Sequence, residues 1–330
     1  MAIGFLALCA VLALLAGCGG SSGSKSAKYE WKMALNSTAG DNGYDTGAAF
    51  AKKLEELTKG KVKITLYGGA SLGTTREVLE GMASGVANVM VESVGTLAPF
   101  NKLANIDAFP YLYSSYDHFM AVWNSELGQE IKDKVGNAAG YKLLGGTFRG
   151  PRIVTATKDM RTVADFKGFK LRAPNLDVYL KTWQWMGASP IPMAIGEVYT
   201  ALQQGTVNGQ ENPMADSLNF AFNEVCKYWI KTNHVYSSNV VIMDLKYYDS
   251  LPADIQKAIQ EAAAYASKEV GELQLKKMEE AEKTLLEKGN TVIEVDTDAF
   301  AEHFKDFAAT TYPDVPEFAD WAKRISEMKK

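Results

Sequence analysis

Hydrophobic and polar positions repeat with two periods along this chain. Trp31, Met33 and Leu35 alternate with polar or small residues, as in a half-buried strand. Over Ala48 to Leu57 the period lengthens to that of a helix, with Phe50, Leu54 and Leu57 on one face and Gly60 as its stop. Val62-Lys63-Ile64-Thr65-Leu66 is a second strand, and Val86 to Val91 a third. Between them Thr74-Thr75-Arg76-Glu77 is a capping box that opens a helix through Val78, Leu79 and Met82. Strand–helix–strand–helix–strand predicts a parallel sheet covered by helices.

The order returns after about residue 150. Phe169 to Leu171 is a short strand, followed by helices over Leu176 to Met186 and Glu197 to Gln204. Two α/β units in series predict an α/β fold of two lobes with a cleft between them. Ala253 to Lys288 contains no Pro and is bounded by Pro252 and Gly289. As one helix it is about 50 Å long at 1.5 Å per residue and spans both lobes; a break at Gly271 is the alternative.

Composition narrows the function. A chain of 330 residues with 47% hydrophobic and 22% charged positions suits two globular domains. The net charge of −4, without a Lys/Arg cluster, argues against a nucleic-acid partner. Met1 to Gly17 is an uncharged apolar run ending in Leu15-Ala16-Gly17-Cys18, which reads as a bacterial lipoprotein signal with Cys18 as the lipidated residue, although no basic residue precedes Lys25. Residues 18–28, with Gly19-Gly20-Ser21-Ser22-Gly23-Ser24, read as a flexible tether. The expected protein is a monomer held outside the cell on a bacterial membrane by its lipid.

No catalytic signature is present: G-x-S-x-G, H-E-x-x-H, a P-loop and a dinucleotide fingerprint are all absent. His118, His234 and His303 are dispersed; His118 and His303 read as helix-surface residues and His234 as a buried, hydrogen-bonded one. Cys226 reads as buried, and no Cys/His spacing resembles a metal site, so no metal or cofactor is expected. The informative stretch is Gly168-Phe169-Lys170-Leu171-Arg172-Ala173-Pro174-Asn175. It puts Arg172 at the end of a strand, where open α/β sheets bind ligands and a guanidinium can grip a carboxylate with two bonds. The alternative is a surface Arg paired with a local acid. Asn212, before Pro213 in Gly209-Gln210-Glu211-Asn212-Pro213, is a second polar group aimed by rigid backbone.

Lys170-Leu171-Arg172-Ala173-Pro174-Asn175, Gly187-Ala188-Ser189-Pro190-Ile191-Pro192-Met193, Glu197-Val198-Tyr199-Thr200-Ala201-Leu202-Gln203 and Gly209-Gln210-Glu211-Asn212-Pro213 occur in that order. Together they resemble the solute-binding receptors of tripartite ATP-independent periplasmic (TRAP) transporters, closest in motif to the receptors for sialic acid and dicarboxylates. The resemblance implies a small carboxylate ligand, membrane subunits of a TRAP transporter as partners, and no enzymatic activity. It implies that Arg172 forms the main salt bridge to the ligand, and that Asn212 helps hold that Arg and the carboxylate. It assigns a further Arg to Arg152, with Arg149 as competitor, and polar cleft roles to Asn36, Glu92 and Asn175. Arg76 matches another family position. Thr75, Gly95 and Ile195 depart from the sialic-acid receptors around the far end of the ligand. Asn36 with Glu92 therefore favours a sugar acid or other hydroxy- or keto-carboxylate over a C4-dicarboxylate. An enzyme using Glu92 as a base beside Arg172 is the rival reading. The expected lobes are 29–149 with about 238–277, and 150–237 with about 278–330.

Overall fold

The computed structural model describes residues 27–329, so Cys18 and the signal segment lie outside the described residues. Strand β1 (Tyr29–Leu35) pairs in parallel with β2 (Val62–Tyr67) and β3 (Val89–Ser93). Helix α1 runs over Asn42–Leu57, a turn and a half before the expected start at Ala48. The early turns contain Gly43 and Gly47, which argue against a helix locally. Gly47 is buried, and a Cβ there would fall 2.6 Å from Met33 Sδ. Close packing of α1 on β1 overrides the poor propensity. Helix α2 (Thr75–Gly81) begins at the expected capping box, with Thr74 as N-cap and Glu77 returning to it. Strand β3 starts three residues later than predicted and ends two later, which puts Glu92 near its carboxyl end.

Helices α3 (Tyr116–Trp123) and α4 (Glu126–Ala139) lead into β4 (Tyr141–Ala156). The second α/β unit follows: β5 (Lys170–Ala173), α5 (Asp177–Trp185), β6 (Ser189–Pro192), α6 (Val198–Gln203), β7 (Gly209–Pro213) and α7 (Met214–Asn219). Strand β8 (Tyr228–Asp244) then returns antiparallel to β4 along nearly its whole length. Its carboxyl half pairs with β3; its amino half pairs with β9 (Thr291–Glu294), and the carboxyl half of β4 pairs with β7. The two long strands thus carry the chain through both lobes, and register shifts in β4 between Leu144 and Val154 bend the ribbon where it crosses.

After α8 (Leu245–Ser250), helix α9 runs unbroken over the 35 residues Ala253–Glu287. Gly271 does not interrupt it. It is buried, with Tyr116 and Phe148 close to where a Cβ would sit, so the glycine serves close approach of the helix to its neighbours. Helix α9 packs on α1 and β4 and also reaches α7 and β9, so it spans both lobes as expected.

The C-terminal helices are α10 (Thr297–His303), α11 (Phe307–Thr311) and α12 (Pro316–Glu327). Trp185 and Phe307 meet edge to face, while α12 packs against α4, with Arg324 on Glu130 at 2.7 Å and Phe318 against Phe109. Periodicity shows that α12 has an apolar face through Phe318, Trp321 and Ile325; it does not show what covers it. This packing also corrects His118. It is buried, and its Nε2 lies 2.8 Å from the Ile325 carbonyl. His303 is exposed on α10, and Cys226 is buried. Among the described residues no helix is long and apolar enough to cross a membrane.

Candidate ligand-binding site

A cavity of about 800 Å³ opens between the lobes, at the carboxyl ends of β3 and β5 and over the β4–β8 crossing. Asn36, Glu92, Arg149, Arg152, Arg172, Asn175 and Asn212 all line it. Arg76 does not. Its side chain is 72% exposed on α2 and pairs with Glu80 one turn on, because a capping-box helix turns that position to solvent.

Arg172 is the third residue of β5, and Pro174 ends the strand just beyond it. The residue is only 4% exposed. Nε and Nη2 both donate to the Met193 carbonyl, at 2.9 and 2.6 Å, which aligns the guanidinium plane. Among the described residues no carboxylate lies within ion-pair distance of it, and Nη1 has no protein acceptor. Burial pulls its pKa down to about 10, still charged at neutral pH. The expected alternative, a surface Arg on a local acid, does not describe this side chain.

Arg152 is equally buried but neutralised. Nε and Nη2 bind the two carboxylate oxygens of Glu211 at 2.5 and 2.7 Å, and Nη2 also donates to the Glu211 carbonyl and to Asn212 Oδ1. Burial alone would lift the Glu211 carboxyl, yet the Arg152 charge and the His234 hydrogen bond hold it at about 2. Burial lowers the pKa of His234 against the pull of Glu211, so the ring is neutral. Nε2–H then donates to Glu211 at 3.1 Å, and Nδ1 accepts from the Thr232 hydroxyl at 2.8 Å. His234 is thus the buried, bonded residue expected, and Glu211 is the partner that sequence reasoning passed over inside its own motif. Asn212 bonds Arg152 rather than Arg172, because β7 pairs antiparallel with β4 and brings Ile153 opposite Asn212. Arg149 Nη2 sits 3.3 Å from Asp216.

The facing wall belongs to the first lobe. Glu92 Oε1 accepts from the Ser93 backbone and Oε2 from Asn36 Nδ2, both at 2.9 Å; Asn36 also bonds Thr75. Asp41, Asn42 and Asn239 line the same wall, with Asn239 donating to Asn42 at 2.8 Å. Sequence reasoning missed these three. Asp41 and Asn42 stand where α1 was taken to be still a loop, and Asn239 is the last of the polar run Ser237-Ser238-Asn239 before the apolar end of β8, the local signal it offered.

The family described as bacterial extracellular solute-binding protein, family 7, matches residues 34–316. This chain belongs to that family, the solute-binding receptors of TRAP transporters. A solute-binding protein of Roseobacter denitrificans is 35% identical over 259 residues, 78% of this receptor and 79% of the relative. Its crystal structure, solved with bound L-galactonate, aligns with a TM-score of 0.78 at 31% identity over 86% of this chain and 94% of that one. The sialic acid-binding periplasmic protein SiaP of Vibrio cholerae is 31% identical over 244 residues, covering 73% and 76% of the two chains. A TRAP receptor of Chromohalobacter salexigens with bound D-glucuronate matches at 25% identity and a TM-score of 0.84, over 91% of this chain and all of that one. The receptor is therefore an extracytoplasmic binding protein and not an enzyme, which removes the rival reading of Glu92 as a catalytic base.

Proposed function

We propose that the receptor captures a sugar acid carrying a single carboxylate and delivers it to the membrane subunits of a TRAP transporter. One observation carries the reading: Arg172 is the cleft guanidinium without a carboxylate partner among the described residues, while Glu211 neutralises Arg152 and Asp216 neutralises Arg149. The ligand carboxylate takes Nη1 and the remaining Nη2 hydrogen of Arg172. A second carboxylate on the same ligand meets Asp41, Glu92 and Glu197, none of which has a cation partner among the described residues. Hydroxyl groups suit that wall, since a carboxylate only accepts and a hydroxyl can donate to it. This favours a sugar acid over a C4-dicarboxylate, and L-galactonate and D-glucuronate in the related structures are of this class.

Binding closes the lobes by rotation about the bent β4–β8 crossing, near residues 149–150 and 237–238, with α9 as the shared strut. Leu15-Ala16-Gly17-Cys18 and the Gly/Ser run behind it support attachment through a lipid on Cys18. A thermal-shift screen of L-galactonate, D-glucuronate, sialic acid and succinate tests the ligand class. Ligand at a hundred times Kd adds about 2.7 kcal/mol of stability. Stabilisation by the sugar acids but not by succinate is the expected result; stabilisation by succinate alone refutes the reading.

A further inference from the structure

We infer that Asp107, buried beneath the cleft and outside the ligand's reach, is a positioning residue that fixes the hydroxyl-recognising wall. The inference rests on the proposed role of that wall in sugar-acid binding. Asp107 lies in the 3₁₀ segment Lys102–Ala108, is 2% exposed, and has no cation within ion-pair distance among the described residues. Its carboxylate instead gathers four neutral donors. Oδ2 accepts from Ser93 Oγ at 2.7 Å and from the Gly95 backbone at 3.4 Å; Oδ1 accepts from Ser238 Oγ at 2.7 Å and from the Ser238 backbone at 3.0 Å.

The two segments it joins carry the wall. Ser93 follows Glu92 and donates its backbone N–H to the Glu92 carboxylate. Ser238 precedes Asn239, which lines the cavity and bonds Asn42. The β3–β8 ladder ends at the Ser93–Asn239 pair, so backbone groups just beyond it lack a strand partner. Asp107 supplies the acceptor for the Ser238 N–H at that point and shares the Gly95 N–H with Ser93 Oγ, which lies 3.2 Å from it. An anion without a cation is costly to bury, and burial pushes its pKa up against the four bonds. What offsets that cost is the joining of the two cleft segments at the point where the β3–β8 ladder runs out.

Asp107→Asn keeps the shape but leaves one acceptor oxygen. A serine hydroxyl can turn to accept from the new amide; a backbone N–H cannot. Either orientation therefore sets the NH₂ group against the N–H of Gly95 or of Ser238. Titration calorimetry on wild type, Asp107→Asn, Glu92→Ala and the double variant, with L-galactonate and D-glucuronate, tests the inference. Asp107→Asn is expected to weaken binding about ten-fold, and most of that loss should vanish in the Glu92→Ala background, because the two residues act through one wall. Affinity within about two-fold of wild type, or losses that multiply in the double variant, overturns it. If wild type binds neither acid, the sugar-acid reading fails, and a crystal structure of Asp107→Asn still decides this one. Displaced Glu92 and Asn239 support positioning; both in place overturn it. Should Asp107→Asn fail to fold, Ser93→Ala and Ser238→Ala each remove one of the four bonds and are read in the same way.

Discussion

Removing Arg172 tests the site most directly. This guanidinium is buried with the Met193 carbonyl as its hydrogen-bond acceptor among the described residues, and it feels the Glu211 charge only from beyond ion-pair distance. Holding it at about 10, well below the ordinary arginine value, costs the fold roughly 3 kcal/mol. A bound carboxylate supplies the missing counter-charge, and closure strengthens that attraction by excluding water. In Arg172→Ala the ligand's charge instead enters the closed cleft unpaired. Truncating one partner of such a pair costs about 2–5 kcal/mol. At 1.4 kcal/mol per factor of ten, affinity should fall by roughly thirty- to several-thousand-fold. Arg172→Lys should restore only part of it, because an ammonium cannot donate to Met193 and hold a carboxylate in the same plane. The ligand-free Arg172→Ala protein should unfold at or above the wild-type denaturant midpoint, since the variant also removes a desolvated charge. Calorimetric titration with L-galactonate or D-glucuronate, beside urea unfolding, measures both quantities. Near wild-type affinity in a folded Arg172→Ala protein refutes the carboxylate site. Loss of the fold itself refutes the account of Arg172 as a group placed for the ligand at the expense of stability.

Glu211→Ala should lower unfolding free energy by about 3–5 kcal/mol, because it strands Arg152 as an unpaired buried charge; an unchanged urea midpoint would contradict the pairing. The Glu211 carboxyl is depressed to about 2 in the fold, so its contribution is present above its ordinary value near 4.5 and is lost as pH falls from there towards about 2. Stability curves of wild type and Glu211→Gln should converge over that acid window, and parallel curves would count against it. Arg76→Ala should leave ligand affinity within about two-fold, as an exposed side chain paired along its own helix, and a large loss by calorimetry would return it to the site. Small-angle scattering should show a smaller radius of gyration with saturating L-galactonate or D-glucuronate; an identical profile would argue for a rigid pocket. Cys18→Ser, expressed in a bacterial host that processes lipoproteins, should move the receptor from the membrane to the soluble fraction; continued membrane retention would reject the lipid anchor.

Much of the scaffold was legible along the chain because it rests on local rules. The capping box at Thr74 and Glu77, the Pro252-to-Gly289 bounds of α9 and the strand ending before Pro174 each depend on neighbours within a few residues. Boundaries failed where tertiary packing outweighed propensity. Gly43 and Gly47 look like a loop until β1 needs a helix to approach it closely, and β4 and β8 outrun any short strand because each carries one continuous sheet through both lobes. His118 and α12 show the same limit from the surface side. An amphipathic pattern reveals a face to be covered, and only the chain's return from residues 316–327 decides what covers it.

The candidate site divides along the same line. The sequence by itself singled out Arg172 and Asn212, its family resemblance added Arg152, Arg149, Asn36 and Glu92, and tertiary structure brought them around one cavity. Charge alone could not rank the three candidate arginines, which look the same on paper; it was the family resemblance that put Arg172 first. Which of them is free for a ligand depends on counter-charges set by strand pairing. The β4–β7 ladder brings Glu211 onto Arg152, α7 brings Asp216 to Arg149, and β5 carries Arg172 to a carbonyl with no carboxylate beside it. Charge compensation acts over a few ångströms between residues some sixty positions apart, so it is a property of the fold and not of any stretch of the chain.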